Sequence, residues 1–501
     1  MAATPMSDQS SSMATSVTRS SLQPTSLEFL ESLEMIDFAA VDLEAVESDL
    51  MGFKQDLTTF QMELQEQKQT ELLDEQLAEL QKEFEISPTI DSTFYSVYMS
   101  NLGDEGLRYL EMYKEYCTFI TISEDSLNYF RKTFMGLATR SEPILYAVTA
   151  WGGFYHELGK NKGDFSKPWL YMQKAAKLMC NLIGDNLKPN NKEDFFVLFA
   201  FYLIFIGIEV CTGDVRNWGG FLGLCSQLIK SFGGLARVSE IFNHSNDIQW
   251  LLSDFQFHDI LSSHALLKGT LFPVEEYRAV LRMDMSYGID PLQGINAPIF
   301  YLIAEIGNKK VELRKKWALI EEHIRNGDEN ALRMRLQYYE EMEQSADYFT
   351  KQIDAVTPRS SMIELIKQDK REYEIHKSLF DLYVIIARMQ LGTSIKQLPP
   401  SSAHQQLLLM KAIQLVDFLI PSKAKVALSL LLLICGMTCV VQHDRDEMIQ
   451  RFRKHLKQYE IGNFQRVEEL VEYAWTRNPY GHECIDWAQL GNEKGWNLNV
   501  A

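Results

Sequence analysis

The stretch that decides the fold lies between positions 248 and 294. It reads Ile248-Gln-Trp-Leu-Leu-Ser-Asp-Phe-Gln-Phe-His-Asp-Ile-Leu-Ser-Ser-His-Ala-Leu-Leu-Lys-Gly-Thr-Leu-Phe-Pro273, and later Tyr287-Gly-Ile-Asp-Pro-Leu-Gln-Gly294. Trp250, Leu251, Phe255, Ile260, Leu261, Ala265 and Leu266 recur at mostly three-, four- and five-residue intervals, which predicts one amphipathic helix. Gly269 and Pro273 supply its stop. His258, Asp259 and His264 raise the question of a proton relay or a metal site. Adjacent helical positions point about 100° apart, and a six-residue spacing does not bring two histidines to one face. Asp259 is therefore expected to accept hydrogen bonds from a neighbouring helix end, which a partly buried carboxylate requires.

Outward from this stretch, helical periodicity is nearly continuous from Pro88 to the C-terminus. Breaks fall at 101–104, 161–167, 184–192, 212–217, 233–234, 286–296, 357–361, 392–402 and 421–423, where Gly, Pro, Asn, Asp and Ser gather. Strand-like alternation is scarce. Helices of roughly 12–25 residues on short polar connectors predict an all-α body, a large array of stacked helix pairs. No fixed sequence period identifies a named repeat. Two apolar runs, 195–208 and 426–441, are shorter than the ~20 residues that span a bilayer, so both read as buried helices and no membrane span is expected.

The chain has 501 residues, 46% of them hydrophobic, enough to fill a sizeable core. Its net charge of −19 is uneven: residues 1–90 hold 18 acidic against 4 basic residues, a net of −14, leaving −5 for the rest. An acidic balance argues against direct capture of DNA or an anionic membrane, which needs an excess of Lys and Arg on one face. Seven cysteines, an odd number scattered from Cys117 to Cys484 with no secretory signal ahead of them, point to a reducing compartment and to thiols used as small core groups.

Residues 1–26 are rich in Ser, Thr, Gln and Ala, too poor in apolar groups to offset chain entropy, and are expected to be disordered. Between 27 and 53 acidic residues interleave with bulky apolar ones, Phe29, Leu30, Leu33 and Phe38 among them, with no Lys or Arg. That composition suits an acidic activation segment whose charges keep apolar side chains solvated and free to enter a partner groove. It equally suits an acidic amphipathic helix packed on the body. Leu50, Phe53, Leu57, Phe60 and Leu64 then hold heptad spacing, and Leu73, Leu77, Leu80 and Phe84 resume it after a phase break. The stripe reads as a short coiled coil or as a face that packs on the helical body.

Phe255, Phe257, His258, Asp259, Leu261, Ser262 and Ser263 resemble a segment of the fungal-specific regulatory domain that follows the zinc binuclear cluster in fungal transcription factors. Further stretches resemble that family in order: the small-and-large alternation from Pro143 to Trp151, the helix opened by Trp218, the turn of Gly288, Asp290, Pro291 and Gly294 with the helix after it, the paired stretches Glu447–Tyr459 and Val467–Trp475, and the closing segment from Asp486-Trp487 to Trp496. The resemblance covers about 87–501 and implies an all-α regulatory domain in a nuclear transcriptional regulator, with these motif residues in structural roles. It divides the chain into a tail at 1–26, an acidic helical segment at 27–86 and the regulatory domain at 87–501.

The family also implies six clustered cysteines ahead of this domain, because two zinc ions need six thiolates in a small module. Residues 1–116 contain no cysteine, and Cys435 and Cys439 sit on a strongly apolar stretch where they read as core thiols. DNA is then reached only indirectly, through protein partners: the transcription machinery, a second copy, or a zinc-cluster relative. An in-frame cysteine cluster upstream of Met1 would instead make this a partial version of an ordinary member. No phosphate loop, dinucleotide fingerprint, zinc-protease or nucleophile-elbow motif occurs, so no enzyme and no cofactor is expected. A non-catalytic scaffold or adaptor is the alternative function.

Overall fold

The computed structural model describes residues 101–500 except 123–127, 162–163, 185–186, 264–267 and 282–287. The segment 27–53 and the stripe of Leu50, Phe53, Leu57, Phe60 and Leu64 lie outside the described residues. Among those described, seventeen α-helices of at least seven residues form an all-α array, and β pairing is limited to one isolated bridge between Asp290 and Gly294.

Helix α1 (Gly103–Tyr116) leads through a π-helical turn (Phe130–Met135) to α2 (Glu142–Asn161) and α3 (Ser166–Ile183). Next come α4 (Lys192–Thr212), α5 (Trp218–Ser231), α6 (Leu235–Ile241), α7 (Asn246–Ser263) and α8 (Val274–Val280). The 29-residue α9 (Ala297–Arg325) opens the second half, followed by α10 (Ala331–Ala355), α11 (Ser360–Ile366), α12 (Lys370–Ser394) and α13 (Ala403–Leu419). The chain closes with α14 (Ser429–Thr438), α15 (Gln442–Leu456), α16 (Gly462–Arg477) and α17 (Trp487–Glu493).

Small residues set the closest approaches. A Cβ on Gly152 of α2 would lie 2.0 Å from the Tyr109 carbonyl oxygen and 2.6 Å from the Tyr113 nitrogen, so α1 and α2 pack backbone against backbone. The π-helical turn wedges its aromatic rings between the two halves of this core. Phe130 and Phe134 lie 5.1 and 5.0 Å from Trp250 of α7, and 6.2 and 6.4 Å from Trp151 of α2. Edge-on aromatic contacts of this kind contribute about 0.5–1.5 kcal/mol each beyond the area they bury.

Helix α4 is capped by Asn191, whose side chain accepts the Asp194 N–H at 2.9 Å, and it ends at Gly213 in the left-handed region. At 21 residues it exceeds the apolar run read from the sequence and is long and apolar enough to cross a membrane. Most of that apolar window is nevertheless buried inside the protein, because α2, α5, α7 and α16 surround it. The second apolar run forms the buried α14, with Cys435 on the helix and Cys439 just past its end, both interior.

Helix α7 departs from its predicted amphipathicity. Every residue from 248 to 263 is buried, because α4, α5, α6 and α9 all pack on it. A central helix reached from several sides has no solvent face to keep polar. The price of that position is a set of interior polar groups, Ser253, Asp254, Gln256, His258 and Asp259, each needing a partner.

Candidate functional site

The interior polar groups of α7 meet the 288–294 turn. Asp290 Oδ1 accepts the backbone N–H groups of Leu292 at 2.9 Å and Gln293 at 2.7 Å, closing a turn on itself, and Ser253 Oγ of α7 donates to Asp290 Oδ2 at 2.6 Å. Gln293 Nε2 donates to Ser253 Oγ and to Gln256 Oε1 at 3.0 and 2.9 Å. On the outer side of the turn the Pro291 carbonyl accepts the Ile122 N–H at 2.8 Å and the Thr121 hydroxyl at 3.2 Å. Gly288 and Gly294 hold φ of +91° and +55°. A Cβ on Gly294 would meet Ile122 Cδ1 at 2.6 Å and His376 Nδ1 of α12 at 3.0 Å. One turn thereby joins α7, α12 and the segment after α1.

One turn of helix further on, Asp259 accepts the Leu271 N–H at 3.0 and 2.9 Å on its two oxygens and the Tyr277 hydroxyl of α8 at 2.6 Å. Burial pushes its carboxyl up, the Tyr277 and backbone hydrogen bonds pull it back, and the balance leaves it at about 7. His258 faces elsewhere: burial lowers its imidazole to about 3, with Nδ1 lying 3.4 Å from Asn499 Nδ2 and Nε2 lying 3.6 Å from Asp254 Oδ1. Burial, and then the Asp290 charge, raise the Asp254 carboxyl well above its ordinary value. Ser262 and Ser263 donate back to the Asp259 and Ile260 carbonyls at 3.1 and 2.7 Å. His264 lies outside the described residues.

Trp218 anchors the C-terminal segment. Its indole N–H donates to the Asn497 carbonyl, the Asn497 N–H donates to the Val215 carbonyl at 2.7 Å, and Leu498 and Val500 are buried. Together with the Asn499 contact to His258, this threads the chain end between α5 and α7. Of the motif residues, Phe255, His258, Asp259, Ser262, Ser263, Asp290, Pro291 and Gly294 gather along α7 and its turn, with Trp218 joined to them through residues 497–499. These arrangements pair Ser253, Asp259 and Asp290 with protein partners, while Asp254 Oδ1, Gln256 Nε2 and Gln293 Oε1 are buried without a hydrogen bond. No group of three or more metal-ligating side chains occurs among the described residues.

Sequence reasoning missed a cavity of about 150 Å3 bounded by α9, α10, α12, α14, α16 and α17. Lys310 Nζ lies 2.5 Å from Asp486 Oδ2, and Arg314 also pairs with Asp486, which in turn caps α17 by accepting the Ala488 N–H at 3.1 Å. Burial works to raise the Asp486 carboxyl, but the charges of Lys310 and Arg314 prevail and hold it below the usual carboxylate range. Burial lowers Lys310, with Asp486 opposing. Gln390 of α12 lines the same cavity, is buried, and has no hydrogen-bond partner for either side-chain polar atom. Lys310 and Arg314, Gln390, and Asp486 come from three segments far apart in sequence, so no local pattern could have revealed them.

A family model described as "Fungal specific transcription factor domain" matches residues 108–501. An uncharacterized transcriptional regulatory protein of Schizosaccharomyces pombe is 26% identical over 403 residues, covering 80% of this chain and 73% of that protein. The transcriptional activator protein UGA3 of Saccharomyces cerevisiae is 25% identical over 442 residues, covering 80% of this chain and 79% of its own. No solved structure matches the chain.

Proposed function

This chain belongs to the fungal-specific transcription factor domain family and is a transcriptional regulator, and on that premise we propose that it works in the nucleus as a non-enzymatic helical regulatory body carrying its own acidic activation segment. The observation that carries the reading is the family match over 108–501. The division into a tail at 1–26, an acidic segment at 27–86 and a regulatory domain at 87–501 belongs to the same proposal.

Phe29, Leu30, Leu33 and Phe38 enter a groove on the transcription machinery, with the acidic residues between them keeping the segment solvated until then. The seven cysteines of these 501 residues are dispersed between positions 117 and 484, and a protein partner shares in promoter contact. Leu50, Phe53, Leu57, Phe60 and Leu64 pair with a like helix, from a second copy or a zinc-cluster relative. Trp218, Phe255, His258, Asp259, Ser262, Ser263, Gly288, Asp290, Pro291 and Gly294 act as clamps of the fold and touch neither DNA nor substrate.

Fluorescent tagging of the full chain in a fungal cell, combined with crosslinking to chromatin, tests the reading. Nuclear accumulation and enrichment at discrete promoters are expected. Exclusion from the nucleus, with no promoter enrichment, overturns it.

A further inference from the structure

A groove of about 420 Å3 opens to solvent between α2, α3, the turn after α4 and the start of α16. One wall is aromatic. Phe154 of α2 packs against Phe165, just ahead of α3, at 5.3 Å and against Trp169 of α3 at 6.4 Å, with the rings inclined at 60° and 80°. Such angles build a faceted wall, not a flat stack, and Trp169 stays 42% exposed. The other wall is acidic. Glu209, near the end of α4, is buried with its carboxyl bonded to Asp214; burial, and then the Asp214 charge, raise it well above its ordinary value.

The acceptors on this acidic wall are largely engaged already. Asp214 Oδ2 accepts the backbone N–H groups of Arg216 and Asn217 at 2.8 and 2.6 Å. The Gly213 carbonyl accepts Arg466 Nε at 3.2 Å, and the Glu209 carbonyl accepts the Asp214 N–H at 2.9 Å and the Thr212 hydroxyl at 3.1 Å. Among the described lining residues Arg466 is the single cation, and its charge is engaged too: Nη1 lies 3.2 Å from both Glu469 carboxylate oxygens and the guanidinium sits 5.3 Å from the Trp496 ring. What the groove offers is negative charge and aromatic surface. A primary ammonium brings three N–H donors that each need an acceptor. A quaternary ammonium has no N–H to satisfy and is held by charge and by ring faces alone.

We propose that this groove binds a quaternary methylammonium group, its head against Phe165 and Trp169 and its charge balanced by Asp214. The same head occurs on small free cations and on trimethylated lysine side chains of other proteins, and the groove is large enough to take the chain that carries it. The proposal stands independently of the transcriptional reading.

The test is calorimetric titration of the full chain with choline, its uncharged carbon analogue 3,3-dimethylbutanol, and ethanolamine, which carries a primary ammonium. Saturable one-to-one binding of choline is expected, with the other two at least about tenfold weaker. Trp169→Leu, which keeps an apolar side chain and removes the ring, should weaken choline about tenfold, and Trp169→Phe should restore most of the loss. Asp214→Asn should weaken it by a similar factor; circular dichroism checks that each variant is folded. Nα-acetyl-trimethyllysine amide, with the unmethylated lysine amide as control, separates the two sources. Binding of the trimethyllysine amide at least as tight as choline supports a protein-borne head group, and binding of choline alone supports a free cation. No saturable binding of either quaternary probe up to about 10 mM, tenfold above a millimolar dissociation constant, overturns the proposal. Ethanolamine or the neutral alcohol binding as well as choline overturns it, as does choline binding that is indifferent to both Trp169→Leu and Asp214→Asn.

Discussion

Lys310 of α9 and Asp486 at the start of α17 meet at 2.5 Å in the interior, joining the middle of the chain to its C-terminal segment. Two buried charges repay their desolvation only as a pair, and removing one partner typically costs about 3–5 kcal/mol. Asp486→Asn keeps the helix cap and strands Lys310, so urea unfolding should show a loss of about 3 kcal/mol. Adding Lys310→Met should recover most of it. A single variant as stable as the parent would mean that water already reaches the Lys310 ammonium.

His376 links the 288–294 turn to pH. Burial, followed by the Lys423 charge, lowers its imidazole to about 4 in the fold, with Glu372 lying 3.8 Å from Nε2. The unfolded chain protonates it near 6.5. Neutral His376 therefore contributes stability that is complete above about pH 6.5 and is lost as the pH falls toward 4, about 3 kcal/mol in all. His376→Leu should gain stability relative to the parent between pH 6.5 and 4. Parallel stability curves for the two proteins across that range would show that the imidazole does not set the slope.

Gly294 sits at φ +55° with Ile122 and His376 against the place a side chain would take. Gly294→Ala combines backbone strain with a clash and should cost about 1–3 kcal/mol. Ser253→Ala, which strips the Asp290 carboxylate of its 2.6 Å hydroxyl partner, should cost about 1–3 kcal/mol. Thermal unfolding measures both, and an unchanged midpoint in the two variants would remove the turn from its role as a clamp.

The stripe of Leu50, Phe53, Leu57, Phe60 and Leu64 predicts an oligomeric effect without a stability effect on the body. Each buried Leu or Phe contributes about 1.5–3 kcal/mol before association entropy is subtracted, so two charges suffice to break a short zipper. Leu57→Glu with Leu64→Glu should turn a dimer or mixed complex into a monomer in light scattering while the melting temperature of the body holds. A lowered melting temperature in a chain that was monomeric from the start would place the stripe on the body instead.

Much of the architecture was legible. Gly, Pro and Asn clusters at 184–192, 212–217 and 233–234 mark true helix ends, and Trp218 does open a helix. The break between α9 and α10 escaped notice although Asn326-Gly327-Asp328 carried the signal, and Gly327 takes φ +69° there. The all-round burial of α7 was not readable, since periodicity reports one apolar face and not how many neighbours will cover the rest. Nor was the pairing of Ser253 with Asp290, or the convergence of Lys310, Gln390 and Asp486, because tertiary packing alone brings such residues together.

On the reading proposed above, the chain regulates transcription through apolar side chains set in its acidic segment. The direct measurement tethers the full chain to an unrelated DNA-binding module and reads a reporter gene, with and without alanine at Phe29, Leu30, Leu33 and Phe38. Activation by the parent chain and its loss in the alanine variant, with the acidic residues and the helical body intact, are expected. Equal activation by the two chains, or none from the parent, would contradict it.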